Sequence, residues 1–321
     1  MTEIGYSLSS EEHSALDLVR YAERAEQAGF QFALISDHFH PWMSRQGQSP
    51  FVWSVIGAIA VRTHKLRLGT GVTCPLLRIH PAIVAQAAAT AASMMPGRFF
   101  LGVGTGENLN EHILGDKWPP IWERQDMLQE AVTVIRQLWK GGVQNHQGRY
   151  FTVENAQIFS LPSSLPPIYM AAAGSSTAEL AARIADGLIS VGANAEVAMK
   201  FGKSKPRYAQ VAVCWAESEK EARKTACEWW PITALSGPLT QELALPSHFE
   251  AAAKLVTEDK VAEEIVCGPD PSRHIEALQK CIAAGFDHVY IHQIGKDQEG
   301  FFKFYQEKIL PHFGSDKSRV A

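Results

Sequence analysis

Seven consecutive residues, SDHFHPW (Ser36 to Trp42), place one carboxylate, two imidazoles and an indole just after the apolar run Phe32-Ala33-Leu34-Ile35. A neutral imidazole can give or take a proton near physiological pH, and a carboxylate can orient it or serve as a second acid–base group. Asp37, His38 and His40 make a poor metal set, because successive strand residues point to opposite faces; no metal is expected. A second candidate acid, Glu107, sits in GVGTGENLNE (102–111). The GxG in that stretch is a weak dinucleotide signal, and no acidic residue closes a second strand at the matching distance. A third cluster, Ala173-Gly174-Ser175-Ser176-Thr177, precedes a helical pattern. Its amides and hydroxyls suit a phosphate at a helix N-terminus, and suit an ordinary cap equally well.

Strands must position these groups, and eight are legible: 3–8, 32–36, 66–72, 98–106, 167–172, 187–191, 207–216 and 288–295. Helical patterns separate nearly all of them. One opens at Ser10 with Glu11 and Glu12 and closes at Gly29; others run over 51–60, from Pro81 to Pro96-Gly97, over 121–140, over 217–230 and over 299–311. Residues 147–161 alternate like a small hairpin. Alternating β and α elements imply a parallel sheet. Eight units in 321 residues favour one (β/α)8 TIM barrel spanning 1–321, with an open doubly wound sheet as the alternative. Residues 232–270 fit no clean unit and read as a helical insertion before the last repeat. In such a barrel the chemistry gathers at the carboxyl ends of the strands. Ser9-Ser10-Glu11, Asp37-His38, Gly71-Val72-Thr73-Cys74, Thr105 to Asn110 and Ala173 to Thr177 all fall there.

Composition narrows the class. A net charge of −4 gives no basic face for nucleic acid, and no apolar stretch is long enough to read as a membrane helix. The N-terminus, MTEIGYSLSSEEH, lacks the pattern of a secretion signal. Five scattered cysteines with no CxxC pair fit reduced thiols, so a cytoplasmic protein is expected.

Taken jointly, SDHFHPW, GTGVTCP with RIHPAIVAQAAAT, GVGTGENLNEHILG and IRQLW resemble the F420-dependent branch of the luciferase-like flavin oxidoreductases. Within it the chain looks like the group containing F420-dependent glucose-6-phosphate dehydrogenase. The resemblance is strongest over 3–190 and weaker over 195–260. It implies a (β/α)8 barrel, a homodimer, coenzyme F420 at the carboxyl face, and hydride exchange with a small hydroxyl or carbonyl substrate. By motif it implies His38 as the active-site histidine, Glu107 as its acid–base partner, Trp42 as a substrate wall and Glu11 as an early acid at the pocket. It places Asp37, Cys74, Thr105, Gly106 and Asn110 at cofactor contacts, and Ala173, Gly174, Ser176 and Thr177 around the phosphate-bearing tail. A non-proline cis peptide would join Gly71 to Val72 behind the deazaflavin.

The chain departs from the glucose-6-phosphate pattern where basic residues hold the sugar phosphate. Val191-Gly192-Ala193-Asn194 and Phe249-Glu250-Ala251-Ala252 stand there, and Lys200, Lys203, Lys205, Lys254 and Arg273 are the possible substitutes. Two other readings stay open at this point: an FMN-dependent monooxygenase of the luciferase kind, and a cofactor-binding protein without catalysis.

Overall fold

A computed structural model describes residues 2–235 and 237–313. Eight parallel strands form the barrel: β1 (Glu3–Leu8), β2 (Phe32–Ile35), β3 (Arg67–Thr70), β4 (Phe99–Val103), β5 (Ile168–Ala171), β6 (Gly187–Val191), β7 (Arg207–Cys214) and β8 (His288–Gln293). Each pairs with its neighbour in chain order, β8 pairs with β1, and the β6–β7 ladder (Leu188↔Arg207 to Val191↔Gln210) completes the ring. That closure excludes the open doubly wound sheet. The antiparallel hairpin Gln144–Gln147/Thr152–Ala156 lies apart as its own two-stranded sheet.

The helices around it are α1 (Ala15–Ala28), α2 (Val52–Arg62), α3 (Pro81–Met94), α4 (Ile121–Leu138), α5 (Ser175–Ile184), α6 (Ala195–Phe201), α7 (Glu219–Trp229), α8 (Pro271–Ala283) and α9 (Gln298–Phe304). The first helix begins four residues later than its acidic run suggests. Ser14, not Ser10, caps it: its Oγ accepts from Asp17 N and donates to the Asp17 carboxylate. Residues 9–13 are therefore loop, which frees Glu11 to turn into the barrel mouth. Helix α8, which packs on β7 and β8, has no counterpart in the sequence reading.

Alternation along the strands sorts the core into two layers. The outer layer lies between sheet and helices, with Leu18, Ile35, Val84, Leu101 and Val289 among its members. The inner layer fills the barrel with Phe32, Leu34, Phe100, Tyr169, Ile189, Tyr208 and Tyr290. Rings this large need space, and Gly69 provides it: a Cβ there would fall 1.9 Å from the Phe100 ring. The aromatic plug closes the middle of the barrel, so a ligand site must lie above it, at the carboxyl rim.

Between β7 and β8 the chain leaves the barrel through α7 and the short helices Pro231–Ala234, Gly237–Glu242, Pro246–Ala253 and Glu258–Glu264, then returns by the strand Val266–Cys267, which pairs with β7. These elements share an apolar core with the β2 and β4 loops, built from Met43, Leu109, Trp230, Ile232, Phe249 and Ile294. Polar contacts tie the two parts: Asn108 Nδ2 donates to Glu242 O (3.0 Å), Ser44 N to Glu250 Oε1 (2.9 Å), and Gln46 Nε2 to Trp229 O (3.1 Å). The excursion is thus a roof on the β2–β4 side of the mouth.

Candidate active site

His38 is the centre of the polar groups at the mouth. Its Nε2 lies 3.4 Å from Glu11 Oε1, with the two side chains 10 % and 3 % exposed. Its Nδ1 lies between an acceptor, His40 O at 3.1 Å, and a donor, Asn110 Nδ2 at 3.2 Å. Both neutral tautomers therefore have a partner. With Nε2–H turned to Glu11, Nδ1 accepts from Asn110 Nδ2; with Nδ1–H donated to His40 O, the Nε2 lone pair lies beside Glu11, and once protonated the ring donates from both nitrogens, to His40 O and to Glu11. The site accommodates the imidazole before and after it takes a proton.

Glu11 is equipped to stay ionised. Its Oε2 accepts from Ser36 Oγ at 2.5 Å and Ser9 Oγ at 3.0 Å. Burial pushes its carboxyl up, but His38, the Ser36 hydroxyl, a backbone amide and His292 together outweigh burial and hold it below the usual carboxylate range. Trp42 packs at 5.1 Å from the His38 ring and edge-on against Phe249 at 5.2 Å, so the roof buttresses the indole.

Asn110 joins the β2 and β4 loops. Its Oδ1 accepts from Phe39 N (2.9 Å) and His40 N (3.2 Å), which fixes the amide so that Nδ2 faces His38 and Glu107 Oε2 (3.3 Å). His38 and Glu107 are thus linked through one buried side chain. Glu107 itself is partly exposed at the rim. His40 bonds to Leu109 O at 2.8 Å. Among the described residues no group of three or more His, Cys, Asp or Glu side chains is placed to hold a metal.

Asp37, directly before His38, is buried. Its Oδ1 meets Arg78 Nη2 at 2.9 Å and its Oδ2 accepts from Thr73 Oγ1 at 2.7 Å. Arg78 also reaches Glu111, with its amide on Oε2 (3.0 Å) and its Nε near Oε1 (3.4 Å). Burial pushes the Glu111 carboxyl up, and Arg78 offsets only part of that. The side chains of Asp37 and Asn110, expected at cofactor contacts, are buried in hydrogen-bond networks that join the β2, β3 and β4 loops. Cys74 is also buried, and burial raises its thiol well above the usual value.

The Gly71–Val72 peptide is cis. Gly71 lies against Leu34, where a Cβ would come within 2.9 Å, and Val72 packs on the inner aromatic layer. Thr105 and Gly106 are partly exposed, and Gly106 has φ +73° with no space for a Cβ beside Cys74 Sγ. Across the mouth, Ala173, Gly174 and Ser176 are exposed and nothing crowds Gly174. No side chain caps α5, so its first-turn amides point outward with free hydrogens. Thr177 Oγ1 accepts from Gln125 Nε2 at 2.9 Å, tying the loop to α4. These features fit a flat apolar ring over Val72 and an anionic tail at α5.

Several residues of this site escaped the sequence reading. Arg78 and Glu111 carry no local signal, since their meeting is purely spatial. Arg124, fully buried, stacks over Trp118 at 4.0 Å, donates to Gly106 O (3.1 Å), and reaches the roof at Glu242 (3.4 Å). A second acid–imidazole pair, Glu12 with His292 at 3.0 Å, sits beside Glu11 with Trp230 edge-on to its ring at 4.5 Å. For His292 a signal existed: in HVYIHQ it shares the inward parity of Tyr290.

Fold and site together define a (β/α)8 barrel protein with a buried acid–imidazole pair and glycine-rich loops at the carboxyl mouth. Residues 1–288 match the family described as luciferase-like monooxygenase, and the chain belongs to that family. It is 35 % identical to the F420-dependent glucose-6-phosphate dehydrogenase of Microbacterium testaceum, over 96 % of either chain. It is 36 % identical to the F420-dependent hydroxymycolic acid dehydrogenase of Mycobacterium tuberculosis, over 96 % of this chain and 87 % of that one. A solved structure of an F420-dependent secondary alcohol dehydrogenase, in complex with an F420-acetone adduct, superposes with a TM-score of 0.89 at 30 % identity, covering 96 % and 98 % of the two chains.

Proposed function

We propose that the protein is an F420-dependent oxidoreductase acting on a hydroxyl or carbonyl group of a small molecule. The observation that carries this reading is the buried Glu11–His38 pair at the barrel mouth, in a chain whose relatives of similar length are named F420-dependent dehydrogenases. When bound, F420 supplies a two-electron hydride acceptor or donor, so that alcohol and oxidised F420 interconvert with carbonyl and reduced F420.

The chain's own residues bind, orient and manage protons. His38 takes the hydroxyl proton at Nε2 while Nδ1–H rests on His40 O, and ionised Glu11 stabilises the imidazolium that results. Glu107, at the open rim, is the second acid–base group. Trp42 walls the substrate space. Gly71, Val72, Thr105 and Gly106 form the cofactor bed, with Asp37, Cys74 and Asn110 bracing it. Ala173, Gly174, Ser176 and Thr177 hold the anionic tail at α5.

The protein works as a homodimer through the groove between α2 and α3. That groove is lined by Phe51, Trp53, Ile79, Ile83, Ala87 and Met94, and Phe51 and Ile83 are more than half exposed. Light scattering of the purified protein and of Ile83→Asp checks this, the variant running as a monomer. A cytoplasmic setting suits its five free thiols. Among the described residues no helix is long and apolar enough to cross a membrane.

The experiment is a titration of the purified protein with oxidised F420, followed by a panel of alcohols and the His38→Ala variant. Loss of turnover with retained F420 binding in the variant supports the assignment. Tight FMN binding with no F420 binding points to the monooxygenase reading instead.

A further inference from the structure

We infer that the substrate is uncharged and largely apolar, a secondary alcohol or its ketone, and not a sugar phosphate. This rests on the function proposed above and narrows it. A phosphate dianion taken out of water needs paired, well-placed cations, and among the described residues the two arginines buried near the mouth, Arg78 and Arg124, are committed elsewhere. Arg78, whose side chain is 7 % exposed, is held by Asp37 and Glu111. Arg124 is fully buried and spends its donors on Pro119 O, Gly106 O and the roof.

The basic residues that sequence offers as substitutes fare no better. Lys200 pairs with Glu179 at 2.8 Å. Lys203 and Lys205 sit in the turn between α6 and β7, at the opposite rim of the barrel, where Lys205 donates to the carbonyls of Ala182 and Ala185. Arg273 pairs with Glu219 at 2.9 Å on the outer side of β7. Lys254 lines a surface groove with Arg45, Glu228 and Glu250, where the acids balance the bases. Lys296 lies over the Trp229 ring at 5.3 Å.

What the mouth does present beside the acids of the site is apolar. Val191, at the carboxyl end of β6, is 71 % exposed, and Trp42, Ala212 and Leu235 form the partly exposed edge of the roof's apolar core. A neutral hydroxyl can still reach His38, and apolar carbon gains from burial against these surfaces.

The test uses the full-length protein in two arms. Deazaflavin fluorescence first measures F420 binding; if F420 does not bind, the functional reading falls and this inference with it. With F420 bound, cyclohexanol, glucose and glucose 6-phosphate are compared as substrates at low and high salt. Independently of turnover, intrinsic tryptophan fluorescence of the apoprotein follows binding of cyclohexanone and glucose 6-phosphate. We expect cyclohexanol to exceed both sugars in kcat/KM by at least about tenfold, with KM insensitive to salt, and cyclohexanone alone to perturb the fluorescence. Preference for glucose or glucose 6-phosphate, or binding of glucose 6-phosphate weakened by Lys254→Ala or Lys296→Ala, overturns the inference. So does a failure of cyclohexanone to bind.

Discussion

Replacing Asn110 tests how the site is assembled. Its side chain is almost wholly buried and serves four partners: it accepts from the amides of Phe39 and His40 and faces His38 Nδ1 and Glu107 Oε2. Asn110→Ala leaves two backbone donors without an acceptor. Each costs roughly 1 kcal/mol if water takes over and up to about 3 kcal/mol if it stays dry. Phe39 is half exposed and His40 partly so, so water reaches part of the gap, and we expect a loss of about 2–4 kcal/mol. Asn110→Asp keeps both accepted bonds but sets a carboxylate against Glu107, at the 3.3 Å now spanned by Nδ2. Two carboxylates so close cannot both ionise cheaply. Its deficit should therefore be small where the pair shares a proton, near about pH 4–5, and grow toward neutrality. Urea unfolding of both variants across that range is the assay, with turnover measured in parallel. Misplacing His38 and Glu107 should lower kcat by about 100-fold, with a smaller loss of F420 affinity because Asn110 also braces the cofactor bed. Unfolding of Asn110→Ala within about 0.5 kcal/mol of wild type, or a loss confined to F420 binding, would show that Asn110 does not assemble the site.

Three further outcomes follow from the buried charges and tight turns. Arg78→Met strands two buried carboxylates and should cost about 3–5 kcal/mol at neutral pH. Since burial already raises Glu111, the deficit should shrink as acid neutralises the pair, which unfolding curves across pH would show. Glu11 has its folded pKa depressed, so its contribution is present above its unfolded value and lost as pH falls through the folded one. The stability gap between wild type and Glu11→Gln should accordingly be widest near neutrality and close in acid. Gly106→Ala imposes a side chain at φ +73° with its Cβ 2.6 Å from Cys74 Sγ. A loss of about 1–3 kcal/mol in thermal or urea unfolding is expected, together with reduced turnover because Glu107 follows directly.

The barrel was legible because its signals are local. Apolar runs such as FALI and FFLGV, each followed by helical spacing, report their own burial. Strand ends were less sharp: the third and fourth strands stop at Thr70 and Val103, before the glycine stretches that read as their continuation, because those glycines turn the chain at the mouth. Helix α8 was missed although its signals are local: Asp270 caps it, Pro271 opens it, and its buried face, His274, Leu278 and Cys281, recurs at helical spacing, with the polar His274 interrupting the apolar stripe. At the site, residue types pointed to His38 and Glu107, yet their connection through Asn110 is a contact across 72 positions in sequence. The Asp37–Arg78–Glu111 cluster is likewise non-local, and local pattern cannot reveal which carboxylates a buried guanidinium will claim.

The central claim is that His38, held by Glu11 and Asn110, moves the substrate proton in F420-dependent oxidation or reduction. Single-turnover kinetics of wild type and His38→Ala, loaded with oxidised F420 and mixed with cyclohexanol, test it most directly. Deazaflavin fluorescence should fall rapidly in the wild type, and at least about 100-fold more slowly in the variant at unchanged F420 affinity. Equal rates in the two proteins, or no F420 binding by the wild type, would contradict it.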